Sequence, residues 1–425
     1  MKFQTVKGMR DFLPDEMIKR NYVLDVIRAT FEKWGFESLE TPAVESFDLL
    51  AAKSGSGEEI KKEIYHFKDK SNRDLGLRFD LTVGTSRLVS SMTLPRPFKR
   101  YTFGKVWRYD NPQSGRYREF MQTDIDIFGS KKPEADAEII GVTCDVFKSL
   151  GFNKFVIRLS NRKIIEGFVK SIGVNKVNEV FRSIDKLDKI GESGVKQELK
   201  KYRISEPDIN KIVDFISTKG KPKKVLGVSK KIKNKLAKEG SEELEKIMES
   251  IKILGYEKNA VIDLSLVRGL DYYTGPVFEV SVSGGKWSLA GGGRYDNMIK
   301  KLGGQDMPAT GLSLGFERII EVMKQEKMFR LPETNVNVFV APVNDEVRKD
   351  AMKICNDLRN KGISVDTDLM DRKLGKQMEY ASTKLIPFVV IVGKKELKKG
   401  KVKIRNMKTG KEKEVLIKSL DKNIS

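Results

Sequence analysis

Arg108, Arg268 and Arg318 lie in glycine- and aromatic-flanked stretches, KVWRYDNP, LVRGLDYYTG and ATGLSLGFERII. A guanidinium group is a planar fork of donors that stays charged and matches phosphate and carboxylate oxygens. Three of them near strand ends could together neutralise a triphosphate, although each alone is more often a surface ion-pair partner. The chain carries neither a Walker-type phosphate loop nor a strand–GxGxxG–helix fingerprint, so a nucleotide has to be held in another way. The acids Asp80, Asp124 and Asp126, with Thr82 and Gln122, would suit an ammonium group or a magnesium ion. Tyr272 and Tyr273 close an apolar run and suit either a side-chain pocket or core packing. Gly291, Gly292 and Gly293 permit a flat ring to approach the backbone closely, or simply a tight turn.

Other chemistry is excluded by what is scarce. His66 is the only histidine, which rules out multi-histidine metal sites; its setting, EIYHFKD, reads as a short strand with a structural histidine. Cys144 and Cys355 are far apart without a CxxC spacing, so neither a disulfide framework nor a zinc site is supported.

The elements that must position these residues centre on Phe98–Gly129. Two alternating runs flank a polar segment with Asn111, Pro112, Ser114 and Gly115, the pattern of a hairpin. Tyr101, Phe103, Trp107, Met121, Ile125 and Ile127 fall on one face; Thr102, Gly104, Val106, Arg108, Gln122, Asp124 and Asp126 fall on the other. Matching the large apolar residues predicts a register pairing Trp107 with Met121, Phe103 with Ile125 and Tyr101 with Ile127. The polar face suits the floor of a polar ligand site; plain scaffold is the alternative.

Around the hairpin, Pro14 with Asp15 and Glu16 opens a helix to about Lys33, striped by Val23, Val26, Ile27, Phe31 and Trp34. Phe36 to Thr41 reads as a strand ending at Pro42. The strand LGLRFDL brings Asp80 and Thr82 to its end, and residues to about Ser91 read as helical. Pro133 starts a helix to Leu150, and Phe155 to Ser160 is a strand. Residues 170–258 change to Lys/Glu-rich amphipathic helical segments without clear strands, and strand character returns at 260–284. From Asn335 the order becomes β-α-β-α-β, a sheet with helices over it.

At 425 residues, 39% hydrophobic and 33% charged, the chain fits a soluble multi-domain protein. The N-terminus has no apolar run and no stretch approaches membrane-spanning length, so a cytoplasmic protein is expected. The formal net charge is +22, a field that attracts polyanions. Residues 219–238 hold nine lysines and no acid, and residues 394–418 hold ten lysines and Arg405 against Glu396, Glu412 and Glu414. Two separated basic regions suggest a long polyanion touched at two places; two solvated faces are the bland alternative.

Together these segments resemble the signature motifs of class II aminoacyl-tRNA synthetases. WGFESLETPAVE (34–45) is similar to the dimer-forming first motif, YTFGKVWRYDNPQSGRYREFMQTDIDIFG to the second and GLSLGFERI (311–319) to the third. LVRGLDYYTGPVFE (266–279) and LAGGGRYDNMI (289–299) resemble the segments that single out the histidyl family. The resemblance implies an α+β catalytic domain on a mainly antiparallel sheet with flanking helices, residues 1–170 and 259–330. It further implies a helical insertion, 171–258, and a C-terminal α/β anticodon-binding domain, 335–425.

It also implies a reaction and roles: L-histidine and ATP give histidyl-adenylate and pyrophosphate, and the histidyl group passes to the terminal ribose of tRNA-His. Arg108 would bind the α-phosphate, Arg318 the γ-phosphate, and Arg268 the α-phosphate with the substrate carboxylate. Asp80, Thr82, Gln122 and Asp126 would hold the amino group, and Tyr273, beside Tyr272, would meet the imidazole. Gln113 and Arg116 would lie near ATP and the tRNA acceptor end, and Mg2+ would bridge the phosphates in a homodimeric enzyme. Two positions depart from the related forms: Gly84 stands where a proline is usual in the archaeal and eukaryotic form, which would leave that loop less rigid, and Asp80 stands where the bacterial form has glutamate.

Two rivals share parts of this pattern. A regulatory paralogue serving an ATP phosphoribosyltransferase typically loses catalytic arginines and the C-terminal domain, whereas Arg108, Arg268, Arg318 and such a domain are present. A non-catalytic tRNA sensor would normally be fused to a kinase, and no HRD- or DFG-type kinase motif is found.

Overall fold

The computed structural model describes residues 3–53, 62–112, 115–268, 272–282 and 288–424. They form two compact units, residues 1–11 with 23–328 and residues 12–22 with 329–425. Among the described residues no helix is long and apolar enough to cross a membrane.

Twelve strands of the first unit, taken in chain order, are β1 (Glu37–Ser38), β2 (Val44–Ser46), β3 (His66–Lys68), β4 (Asp74–Leu77), β5 (Phe98–Trp107), β6 (Glu119–Phe128), β7 (Phe155–Asn161), β8 (Lys219–Gly220), β9 (Ala260–Asp263), β10 (Pro276–Val282), β11 (Ser288–Arg294) and β12 (Ala309–Leu314). Nine of them make one sheet in the order β1-β5-β6-β12-β11-β10-β7-β9-β8, and β2-β4-β3 make a small second one. Within the large sheet the pairs β1–β5 and β7–β9 are parallel; the others are antiparallel.

One face of this sheet is covered by helices. The helix Pro14–Lys33 contributes Val23, Ile27 and Phe31 to the core, and the Phe31 ring lies 5.8 Å from Tyr101 and 6.1 Å from Phe103. The helix Pro133–Ser149 starts on proline with Glu134 and Asp136 in its first turn, where acids complement the helix dipole. It buries Ile139, Ile140, Val142 and Phe147 while packing on β6 and β12. Between β7 and β9 come helices whose buried Val180, Ile184, Leu199, Ile212 and Val213 form an apolar interior, with Phe168 stacked on Phe215 at 3.9 Å.

The two hairpin faces are those the alternation predicts, but the register is slipped by two residues. Trp107 pairs with Glu119, Lys105 with Met121, Phe103 with Thr123, Tyr101 with Ile125 and Arg100 with Asp126. Charge decides it. This register ion-pairs Arg100 with Asp126 and puts Lys105 Nζ 2.8 Å from Glu119 Oε1 and Trp107 Nε1 3.0 Å from Glu119 Oε2. A slip of two leaves each side chain on its own face because the strand period is two.

Three further expectations are corrected. The strand after the first helix is only β1, because the Thr41 carbonyl accepts from Arg78 Nη1 at 2.6 Å instead of a neighbouring strand. Gly84 is buried within the helix Thr82–Ser91, not in a loop; a Cβ there would come within 2.7 Å of Thr41 Oγ1, so the glycine serves close packing. The Lys-rich helical stretch does hold one short strand, β8, paired with β9. His66 lies in the short strand β3, as expected; its Nε2 is 2.8 Å from Asp74 Oδ1 and its ring stacks on Phe47 at 4.1 Å.

In the second unit β13 (Val338–Pro342), β14 (Val365–Thr367), β15 (Phe388–Val392), β16 (Lys401–Asn406) and β17 (Glu412–Leu416) form a mixed sheet in the order β14-β13-β15-β16-β17. Alternate residues of β13 serve opposite faces. Val338 and Val340 pack with Ile354, Cys355 and Leu358 of the helix Arg348–Asn360, and Phe339 and Ala341 pack with Ala381 of the helix Leu374–Thr383.

Candidate active site

The opposite face of the large sheet carries two rows of residues that run across six strands. The first is Thr102, Asp124, Ser313, Gly291, Glu279 and Arg158; the second is Arg100, Asp126, Gly311, Gly293, Val277 and Ser160. With strands about 4.8 Å apart, Asp124 and Gly291 are about 10 Å from each other. The glycines leave room above the middle strands, and other parts of the chain occupy part of it. A Cβ on Gly291 would fall 1.5 Å from Arg268 Nη1, and one on Gly293 would fall 2.9 Å from the Tyr273 ring. The triglycine is therefore strand, not turn, and it seats an arginine and a tyrosine.

Arg268 ends the segment that follows β9, with φ of 48°. Its Nη1 is 3.5 Å from Glu279 Oε2. The other Glu279 oxygen is 3.4 Å from Arg158 Nη1, and Arg158 Nε is 3.0 Å from Asp263 Oδ2. Asp188, from the helical stretch, approaches Arg158 at 3.4 Å. Burial opposes the Arg158 charge, but Asp263, Asp188 and Glu279 outweigh it and push the guanidinium above its ordinary value. The chain Asp263–Arg158–Glu279 thus holds Arg268 over the floor.

Arg318 lies in the first turn of the helix Phe316–Gln325 and donates through Nη1 to the Ser288 carbonyl at 2.9 Å. Burial lowers its guanidinium below the ordinary value; Arg116 and Arg268 add to the effect against Glu279 and Glu321. Arg116 itself is 3.5 Å from Asp110 Oδ2. Arg108 follows β5, donating from Nε to the Phe79 carbonyl at 3.0 Å, with its guanidinium 5.2 Å from the Phe120 ring centre. Arg116 and Arg268 thus both bear on Arg318, an arrangement that suits a polyanion. Gln113 lies outside the described residues.

Acids fill the other end. Asp80 Oδ1 accepts from the Val83 backbone N–H at 3.1 Å, meeting one of the first-turn donors of the helix that begins at Thr82. Asp126 is ion-paired with Arg100 and accepts from the Tyr295 hydroxyl. Gln122 Nε2 donates to Ser313 Oγ at 3.0 Å, and that hydroxyl donates to Asp124. Tyr272 and Tyr273 have their hydroxyls 3.5 Å apart and rings 4.6 Å apart. Burial raises the Tyr272 hydroxyl above its ordinary value, with Asp80 adding to it. No group of three His, Cys, Asp or Glu side chains among the described residues is arranged to hold a metal ion.

Arg78, Arg100, Arg158, Glu279, Tyr295 and Ser313 also build the site, and pairing across distant strands brings Arg100, Arg158, Glu279 and Ser313 to it. Tyr295 and Ser313 fall in the motif segments 289–299 and 311–319, and Glu279 alternates with Val277 on the floor face. Arg78 lies over Gly104, where a Cβ would come within 2.4 Å of Nη2.

Comparison with known proteins agrees with this geometry. Residues 8–319 match the family model described as histidyl-tRNA synthetase, and residues 337–425 match the one described as anticodon binding domain. The chain is 38% identical over 421 residues to the histidine–tRNA ligase of Pyrococcus furiosus, covering 97% of this chain and 96% of that one. It is 40% identical to that of Clostridium tetani, covering 96% and 95%. Among solved structures, histidyl-tRNA synthetase from Nostoc sp. PCC 7120 superposes with a TM-score of 0.88 at 32% identity, covering 100% of this chain and 99% of that one. An ATP phosphoribosyltransferase regulatory subunit/histidyl-tRNA synthetase from Bacillus halodurans, 22% identical with a TM-score of 0.75 and covering 87% and 93%, shares the fold.

Proposed function

This chain belongs to the histidyl-tRNA synthetase family, and on that premise we propose that it is an ATP-dependent histidine–tRNA ligase. The observation that carries the reading is the floor itself: an acid-lined end and an arginine-crowded end on one sheet, joined by a glycine strand, in a chain that matches the family over nearly its whole length.

In the first step a histidine carboxylate oxygen attacks the α-phosphorus of ATP; the new O–P bond forms as the bond to pyrophosphate breaks. The carboxylate is ionised at neutral pH, so no general base is needed. The site supplies alignment and positive charge. Arg268, seated on Gly291, would bridge substrate carboxylate and α-phosphate; Arg108 would also meet the α-phosphate and Arg318 the γ-phosphate. Asp80, Thr82, Gln122 and Asp126 would hold the amino group, and Tyr273 with Tyr272 would meet the imidazole. In the second step the terminal ribose hydroxyl of tRNA-His takes the histidyl group and AMP leaves, with Arg116 and Gln113 near the acceptor end. Magnesium would enter with ATP, held mainly by its phosphates.

Residues 1–170 and 259–330 would carry this chemistry, 171–258 would form an inserted helical module, and 335–425 would hold the anticodon. A homodimer is supported by the resemblance of residues 34–45 to the dimer-forming motif and by the edge position of β1 within it. The test is charging: labelled histidine should become acid-precipitable on a tRNA-His transcript in the presence of ATP. Absence of charging by folded protein would defeat the ligase reading.

A further inference from the structure

Asp124 has no role in the steps above, yet its surroundings ask for a ligand. Its side chain is buried, 3% exposed. The Ser313 hydroxyl donates to it and accepts from Gln122 Nε2. Two acceptors are left over, Asp124 Oδ1 and Gln122 Oε1, both buried without a hydrogen-bond partner among the described residues. Two positions apart on one strand, they project side by side from the floor. Buried acceptors are nearly always matched, because an unmet one is costly. An adjacent pair calls for one group bearing at least two N–H donors.

Charge selects among such groups. Asp124 is faced by Arg100 from β5, Asp126 from its own strand, Asp80 from the turn before the helix Thr82–Ser91, Arg78 from beyond β4, and Tyr272. Arg100 is ion-paired with Asp126, and Arg78 donates to the Thr41 and Lys105 carbonyls at 2.6 and 2.9 Å. Three acids against two arginines leave one negative charge unmatched when all are ionised. A primary ammonium group supplies both the donors and the charge; an amide or hydroxyl supplies only donors.

We propose that Asp124 is a further specificity-determining residue, whose Oδ1 receives the substrate's α-ammonium group together with Gln122 Oε1. The proposal rests on the ligase reading for the identity of that substrate. Burial pushes the Asp124 carboxyl up to about 7, with Arg100 opposing and Asp126 and Asp80 adding to the rise. Near neutral pH the empty site therefore holds much of it protonated. An arriving ammonium group favours the carboxylate, and the displaced proton goes to solvent.

The test uses the full chain. Asp124→Asn keeps the shape and resembles the neutral acid, so it should fold. In histidine-dependent ATP–pyrophosphate exchange the KM for histidine should rise about ten- to hundredfold, the range for a hydrogen bond to a charged group, with kcat changed by less than about threefold. The dependence of that KM on pH between about 6 and 8 should flatten. Wild-type calorimetry in two buffers of different ionisation enthalpy should show proton release on binding histidine, and this reads the proposal even if the variant fails to fold. Unchanged KM and pH profile in a folded variant, a loss confined to kcat, or no proton release by wild type would each overturn the assignment. Wild type that activates no histidine at all would defeat the ligase reading, and this proposal with it.

Discussion

Arg268 lies directly over Gly291: a methyl group on that glycine would be 1.5 Å from Nη1. Because Glu279 is the strand neighbour of Gly291 and also the ion-pair partner of Arg268, the seat and the tether of this guanidinium are adjacent residues. Gly291→Ala should therefore expel Arg268 without touching the core, and histidine activation should fall about 10²–10³-fold, as for loss of one preorganised donor. Pyrophosphate exchange beside an unchanged circular-dichroism spectrum checks it.

Glu279→Gln keeps the size of the tether and removes its charge. Arg268 and Arg158 both lose a partner, at 3.5 and 3.4 Å. We expect kcat/KM for histidine activation to fall about tenfold or more, in line with a charge-assisted hydrogen bond, while Arg158 keeps Asp263. Steady-state exchange kinetics with histidine and ATP varied in turn would measure it.

Much of this floor was legible in the chain. A period of two assigned Gln122, Asp124 and Asp126 to one face and Ile125 and Ile127 to the other, and that assignment survived a register wrong by two residues. Apolar matching misplaced the register because the deciding pairs are Arg100 with Asp126 and Lys105 with Glu119. Nothing local marks Arg158 as a site residue, and Glu279 and Ser313, although inside the motif segments 266–279 and 311–319, carry no spacing that shows what they face. Their relation to the site emerges only when β7, β10, β11 and β12 are laid in order across the sheet. The triglycine alone is compatible with a close approach to the backbone or with a tight turn; that the protein's own Arg268 and Tyr273 come over it is a tertiary fact.

The raised Asp124 carboxyl predicts a pH signature of stability. Its pKa is about 7 in the folded protein, against roughly 4 unfolded, so folding favours its protonated form. That contribution is fully present below about pH 4 and is lost as pH rises through about 7. The melting temperature of wild type relative to Asp124→Asn, which does not titrate there, should fall over this interval and then level off. A pH-independent difference in thermal scans would contradict it.

Arg294 and Asp136 form a buried ion pair at 2.6 Å, with side chains 5% and 1% exposed. Arg294 also donates to the Ser130 and Lys132 carbonyls at 2.9 and 3.1 Å, tying the start of the helix Pro133–Ser149 to β11. Arg294→Met strands a buried carboxylate and should cost about 3–5 kcal/mol in denaturant unfolding. Adding Asp136→Asn should recover part of the loss; an additive, larger loss would show that the pair is not the cause.

On the proposed function this floor activates histidine and Arg268 supplies the charge. ATP–pyrophosphate exchange across the twenty amino acids, run beside Arg268→Ala, puts both to one assay. Exchange should be driven by histidine alone and should fall about 10²–10³-fold or more in the variant. Exchange with another amino acid, no exchange with any, or full histidine-driven exchange in Arg268→Ala would contradict it.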